Sequence, residues 1–139
     1  GGVMKAEIAD MRKTVEDLRA TNDPAFGATA TRLAEALASF ERATEYMLEK
    51  LGSAPQDALA GATPYMRLFG LVRGGATLGA VGLIAHRKRA AGETDPAHAA
   101  RIATARFFAE NVVVTAGGLE TTITGAAESV LTADLALAS

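Results

Sequence analysis

Apolar side chains recur at helical spacing along most of the chain. Met4, Ile8, Met11, Val15 and Leu18 follow one another at intervals of 4, 3, 4 and 3 residues. That rhythm places them on one face of an α-helix. Asn22-Asp23-Pro24 ends the stripe. Asp23 suits an N-cap and Pro24 a first helical position, so a second helix is predicted to start there. Its stripe, Phe26, Ala30, Leu33, Leu37, Phe40, Thr44, Met47 and Leu51, holds the same spacing and is the most regular signal in the sequence. Glu35, Glu41, Arg42, Glu45 and Glu49 fall on the opposite face and read as solvated. Gly52 sits where a C′ glycine ends a helix.

Ser53-Ala54-Pro55-Gln56 has the form of a capping box opening a third helix. Pro64 then interrupts the pattern. A proline inside a helix removes one hydrogen bond and clashes with the carbonyl four residues back, here that of Ala60, so a kink or break is predicted near Gly61–Thr63. From Tyr65 to Arg89 one long helix is expected, apolar nearly all round and therefore covered by other protein. Gly70, Gly74, Gly75, Gly79 and Gly82 thin one side of it. Each glycine costs about 1 kcal/mol in a helix, so their number points to close approach by a neighbour. Thr94-Asp95-Pro96 is the next cap. A fourth long helix is predicted from Ala97 to about Val130, burying Ala99, Ile102, Ala103, Phe107, Val113 and Leu119. Gly117-Gly118 and the nearby threonines weaken it, and Leu131–Ser139 is a short apolar tail. Four helices with loops of a few residues predict an all-α, antiparallel up-down-up-down four-helix bundle with long third and fourth helices. Residues 1–139 would form a single helical domain.

Composition agrees with helices. Alanine is 31 of 139 residues, aromatics are 5% and tryptophan is absent, a mix that disfavours sandwiches and barrels. Charge is uneven. Residues 1–54 carry 16 charged side chains and the longer stretch 55–139 carries 14, so the first part is expected to face solvent. The net charge of −2 gives no electrostatic case for nucleic acid. Absence of cysteine removes disulfides, thiolate nucleophiles and Cys-ligated zinc. The charge-free run from Gly74 to Ala85 is shorter than the ~20 residues of a bilayer span, so a core helix and no membrane span are expected. Gly1-Gly2-Val3-Met4-Lys5 lacks a signal-peptide apolar region and reads as a cut site, as in a fragment of a longer chain.

Candidate chemistry is sparse. His86 precedes Arg87-Lys88-Arg89, three cations that disfavour its charging and repel a metal. The cluster is read as cations complementing a helix C-terminus, with an anion or phosphate contact as the less favoured use. His98 lies in the first turn of the fourth helix without a second ligand nearby, so no metal site is assigned. Glu110, Glu120 and Glu128 are spaced 10 and 8 apart, which sets no matched pair against one reacting atom. Glu110 is expected to pair with Arg106 one helical turn away. No Gly-x-Ser-x-Gly occurs, and Gly74-Gly75 is better read as helix packing than as a phosphate loop. No catalytic residue is assigned, and no cofactor-binding residue.

One stretch is more specific. Ala58-Leu59-Ala60-Gly61-Ala62-Thr63-Pro64-Tyr65-Met66-Arg67-Leu68-Phe69-Gly70 resembles the signature segment of the C-terminal domain in a bacterial branch of the acyl-CoA dehydrogenases, the long, 3-methylmercaptopropionyl-CoA dehydrogenase-like branch. Arg101-Ile102-Ala103-Thr104-Ala105-Arg106-Phe107-Phe108-Ala109-Glu110 is similar to the helix that follows in that family, and the order of helices agrees along the chain. The resemblance implies an FAD enzyme of fatty acid metabolism that oxidises an acyl-CoA at Cα–Cβ, with a glutamate base and an electron-transfer flavoprotein as acceptor. It maps the glutamate, the flavin contacts and the CoA contacts onto no residue here. It therefore implies that FAD belongs to the parent enzyme and that this piece carries none.

The expected function is an accessory and oligomerisation domain of such an enzyme. Its partners would be the preceding dehydrogenase domains and a second copy, and its compartment the cytoplasm. The alternative is a free-standing helical interaction module, dimerising through the glycine-lined helix. A nucleic-acid contact through Arg87-Lys88-Arg89 is a third reading, disfavoured by the balanced charge.

Overall fold

A computed structural model describes residues 1–138, and among them all regular structure is helical. α1 spans Gly2–Thr21, α2 Thr29–Ser53, α3 Pro55–Ala90, α4 Pro96–Asn111 and α5 Ala116–Ala138. Two 3-10 turns, Pro24–Phe26 and Val113–Thr115, sit between α1 and α2 and between α4 and α5. α3 packs against all four other helices, so the most apolar helix is the central one.

α1 follows its stripe: Met11, Val15 and Leu18 are buried, and Met4 and Ile8 pack against them. Asn22 ends the helix at φ 51°, the left-handed conformation that asparagine tolerates best after glycine. Asp23 does cap Pro24, its Oδ1 accepting from the Ala25 N–H at 2.9 Å. What it caps is a single 3-10 turn and not α2. Gly27 then takes φ +51°, a region closed to most L side chains, which breaks the chain and drops Phe26 into the core. α2 starts two residues later, at Thr29.

In α2, Leu33, Leu37, Phe40 and Thr44 are buried as the stripe predicts, with Ala36 and Ala43 beside them. The stripe leaves the core at its end, where Leu51 is 60% exposed. The expected capping box at Ser53 is not formed. α2 runs through Gly52 to Ser53, whose hydroxyl donates to the Glu49 carbonyl at 3.0 Å. Pro55 opens α3, and the residue before a proline is pushed out of the helical region; Ala54 accordingly lies at φ −150°.

α3 runs unbroken through Pro64, so the predicted break does not occur. Packing on both sides holds the helix there. The Tyr65 hydroxyl lies 2.9 Å from Thr44 Oγ1, and its ring stacks on Phe40 with centroids 5.4 Å apart. A Cβ at Gly61 would lie 3.2 Å from the Ile123 carbonyl oxygen, so α5 crosses α3 one turn before the proline. The other glycines serve the domain's own core. A Cβ at Gly75 would meet Leu33 and Val113, one at Gly79 would meet Leu18, and one at Gly82 would meet Phe26. α3 ends in a Schellman arrangement: Gly92 at φ +97°, with Glu93 N–H bonding to Lys88 O and Gly92 N–H to Arg89 O.

By length and composition α3 could cross a membrane, with a mean hydropathy of 1.6 over its most apolar stretch. One such helix is weak evidence of spanning, because a buried core helix has the same composition. Arg73, which appeared to cut the apolar run, is paired sideways to Glu7 and Asp10 of α1.

The predicted fourth helix is two helices. It stops at Asn111, ahead of Gly117-Gly118, where Val112-Val113-Val114-Thr115 puts four β-branched residues in a row. Such side chains crowd the preceding helical turn, and the chain tightens into a 3-10 turn that carries Val113 fully into the core. The predicted face of α4 is also rotated. Its buried positions are His98, Ile102, Ala105 and Ala109, while Ala99 and Ala103 are exposed and Phe107 is 64% exposed.

Candidate functional site

The titratable groups singled out from the sequence are held apart, each tied to its own element. Glu110 receives the Arg106 Nε–H on both carboxylate oxygens, at 2.8 and 3.1 Å. This is the expected one-turn pair. Glu120 is gripped by Arg42 of α2, whose Nε and Nη2 donate to it at 2.8 and 2.9 Å. That contact holds the Glu120 carboxyl below its ordinary value, against a smaller opposing effect of burial. Glu128 is exposed on α5. Glu110 borders the furrow along α4, Glu128 borders a separate one beside Tyr46 and Lys50, and Glu120 is tied to Arg42, so the three do not converge on one reacting atom.

His86 makes a long-range contact that no local pattern announces. Its Nδ1 lies 2.9 Å from Asp23 Oδ2, across 63 residues. Asp23 is thereby shared between two tasks, one oxygen capping the 3-10 turn and the other facing the imidazole. Its carboxyl is held below the ordinary value chiefly by the Ala25 N–H; burial opposes this, and His86 adds to it. The neighbouring Phe26 ring is tilted against the imidazole at 6.0 Å. Arg87, Lys88 and Arg89 occupy the last turn of α3, where they complement the carbonyl end of the helix.

His98 is 3% exposed, and neither ring nitrogen has a hydrogen-bond partner. Glu93 Oε1 stands 3.5 Å from its Nε2, outside good hydrogen-bond geometry. Among the described residues no three histidine or acidic side chains gather as a metal site would require.

An open groove of about 350 Å³ lies along α4, lined by Arg89, Arg106, Glu110 and the exposed Phe107 among others. It is a surface furrow. A flavin ring needs an enclosed slot with polar groups converging on it, and the residues here do not form one.

The surfaces differ in character more than any pocket does. α1 and α2 face outward with Lys13, Asp17, Arg32, Glu35, Glu45 and Glu49, a solvated surface. Residues 96–138 carry only six charged side chains, of which Arg106 and Glu110 neutralise each other and Glu120 is held by Arg42. The outward face of α3 bears Leu59, Met66, Val81 and Ile84, all exposed. Sequence reasoning anticipated an apolar helix needing cover. Gly75, Gly79 and Gly82 are filled from within the domain, whereas Gly70 lies on the exposed side with nothing within 4 Å of a Cβ.

Residues 7–134 match the family described as acetyl-CoA dehydrogenase C-terminal like. The chain is 34% identical over 135 residues to 3-methylmercaptopropionyl-CoA dehydrogenase of Ruegeria pomeroyi, an alignment that takes in 97% of this chain and 23% of the relative. The chain thus spans about a quarter of the length of the curated relative it matches. No solved structure matches it significantly.

Proposed function

The chain belongs to the acetyl-CoA dehydrogenase C-terminal-like family, and from that membership we propose that it is the C-terminal accessory and oligomerisation domain of an FAD-dependent acyl-CoA dehydrogenase. The observation that carries the reading is the family match across residues 7–134, joined to a surface that is solvated on α1 and α2 and poor in charge on α3 to α5. A domain with one wet side and one dry side is built to be covered on the dry side. In this reading the preceding dehydrogenase domains of the same enzyme cover part of that side and a second copy covers another part.

The parent oxidises an acyl-CoA at Cα–Cβ in the cytoplasm, as part of fatty acid metabolism, and hands electrons to a flavoprotein acceptor. FAD and the catalytic glutamate sit in the other domains, and the present residues contribute assembly and cover. What supports this division is the wide separation of Glu110, Glu120 and Glu128 among structural ion pairs and open surface, with no enclosed slot beside any of them.

The test is to read the coding sequence upstream of Gly1 and to delete residues 1–139 from the enzyme it encodes. A flavin-dehydrogenase pattern upstream is expected, with the deleted enzyme still binding flavin but changed in assembly on light scattering. An upstream region without that pattern, or loss of flavin with unchanged assembly, overturns the proposal.

A further inference from the structure

We propose that the furrow along α4 docks an acidic segment of another polypeptide, with a carboxylate of that segment on Arg89 and an apolar side chain about four residues further on beside Phe107. This surface is separate from the apolar side of α3, and its use does not depend on the family reading.

The net charge of −2 hides a polarised surface. Lys5 and Arg67 apart, the lysines and arginines that make no ion pair among the described residues are Arg19, Arg87, Lys88, Arg89 and Arg101. All of them are exposed, and they lie at the end where α1 and α3 finish and α4 begins. The acids at that end are occupied: Asp23 by the Ala25 N–H and His86, Asp95 by the cap of α4, and Glu93 beside His98. Glu16 of α1 apart, the remaining acids without a cation are Glu45, Glu49, Glu128 and Asp134, and these lie toward the other end, where α2 and α5 finish. An end with free cations and committed acids attracts an anionic partner and repels a cationic one.

The furrow gives that partner a defined seat between Ala25, the end of α3 and one flank of α4. A Cβ at Gly82 would lie 3.5 Å from the Ala105 Cβ, so Arg89, two turns beyond Gly82, falls near the start of α4. Phe107, 64% exposed, stands further along, about 12 Å past Ala99 at 1.5 Å per residue. Extended chain covers that distance in about four residues. Arg106 does not compete for the carboxylate, because its guanidinium lies against Gly27 and is bonded to Glu110. Glu110 in turn sets a negative charge one helical turn from Phe107, so a second anionic group is repelled there and an apolar side chain is favoured. A phosphate site gathers several donors on one point, whereas Arg89 is the one guanidinium in this furrow without a carboxylate of its own. A bilayer offers a flat array of anions, which suits neither a furrow nor Glu110.

The test is an amide-shift titration of the isotope-labelled chain by nuclear magnetic resonance. The probe is an end-capped peptide that carries one glutamate and, about four positions later, one leucine in a serine background. Shifts are expected at Ala99, Ala103, Phe107 and Asn111, and the binding should weaken as salt is raised. Arg89→Gln and Phe107→Ala should each lower the affinity about tenfold or more. By helical spacing Arg101 lies on the opposite flank of α4, so Arg101→Gln removes the same charge and should leave the affinity within about twofold. Arg89, Arg101 and Phe107 are all exposed, and the helical circular dichroism should be unchanged in each variant. A peptide with lysine in place of the glutamate is expected not to bind. Absence of furrow shifts, equal binding of the lysine peptide, or an equal loss on Arg101→Gln overturns the proposal. So does a furrow that responds to adenosine monophosphate, or to phosphatidylserine vesicles, and not to the acidic peptide; it would then belong to a nucleotide or to a membrane.

Discussion

Arg42 of α2 and Glu120 of α5 meet through two hydrogen bonds, 2.8 and 2.9 Å, across 78 residues. The pair is the polar clasp between the N-terminal half of the domain and its last helix. Below it, the fully buried Ile123 of α5 supplies the apolar contact. Arg42 is largely exposed, so solvent screens the pair and its worth is at most about 1 kcal/mol. Glu120→Gln should cost up to about that amount in urea melts at neutral pH. The Glu120 carboxyl is held below its ordinary 4.5, so its contribution is complete above that pH and fades as pH falls through the lowered value. The wild-type and Glu120→Gln stabilities should therefore converge on acidification. A gap that widens below pH 4.5 contradicts the assignment.

Asp23 offers a stronger case, because one carboxylate serves both the turn at Pro24–Phe26 and His86. Removal of an N-cap side chain costs about 0.5–2 kcal/mol, and Asp23→Ala also strips His86 of its partner. The expected loss is at the upper end of that range. Asp23→Asn keeps a cap acceptor and should recover most of it. With the Asp23 carboxyl below its ordinary 3.8, the stabilisation holds above that pH and is lost as pH drops through the lowered value. Thermal melts of the three proteins between pH 3 and pH 7 check this. Equal losses for Asp23→Ala and Asp23→Asn would show that the cap contributes nothing.

These contacts also show where the sequence was legible. The stripes of α1 and α2 were readable because packing there follows an unbroken 4-3 period, from Met11 to Leu18 and from Leu33 to Thr44. The composition of α3 marked it as the central helix, packed against the other four, although Leu59, Met66, Val81 and Ile84 stay exposed on its outer side. Failures came where a local signal competed with a tertiary one. Ser53 looked like an N-cap, but Pro55 alone fixes the start of α3, and Ser53 turns back onto Glu49. Pro64 looked like a break, but Tyr65 and Gly61 are held by neighbours on both sides. The run Val112–Thr115 carried a visible stop signal that the glycines after it overshadowed. In α4 the expected Ile102 is buried, but Ala99, Ala103 and Phe107 lie about a quarter turn or more from the face that His98, Ile102, Ala105 and Ala109 bury, because the many alanines of this helix leave its apolar face undefined by pattern. Pairs such as Asp23–His86 and Arg42–Glu120 are set by topology, and no local pattern announces them.

The face assignment in α2 gives a direct stability contrast. Leu37 is buried in the main cluster, so Leu37→Ala should cost about 2–5 kcal/mol. Glu41 lies at the edge of α2 and meets Arg12 of α1 at 2.5 Å. Because Arg12 is half-exposed, Glu41→Ala should cost no more than about 1 kcal/mol. Urea unfolding followed by circular dichroism separates the two, and equal losses would mean the helix is turned relative to the core.

The family reading carries a spectroscopic expectation. The purified chain should be colourless and should not reduce an artificial electron acceptor with any acyl-CoA, because the furrows among its described residues are open surface and enclose no flavin-sized slot. A stoichiometric flavin spectrum in the purified protein would contradict this, and the furrow along α4 would be the first place to look for the ring.

The glycines of α3 give the sharpest sign test. Gly70 and Gly75 lie five residues apart in the same helix, and intrinsic propensity favours alanine over glycine by about 1 kcal/mol at both. Their surroundings differ. A Cβ at Gly70 meets nothing within 4 Å, while one at Gly75 would stand 2.6 Å from Leu33 Cδ2 and 2.7 Å from Val113 Cγ2. Leu33 and Val113 are themselves fully buried, so neither has free space into which to withdraw. Overpacking of a filled core costs about 1–3 kcal/mol, which exceeds the propensity gain. Gly70→Ala should therefore stabilise the monomer slightly, by up to about 1 kcal/mol, and Gly75→Ala should destabilise it. The comparison is made by denaturant melts of each variant under conditions where light scattering reports the monomer. If both substitutions stabilise, the contact between α3, Leu33 and the turn at Val113 is looser than the structure has it, and the glycines of that side lose their packing role.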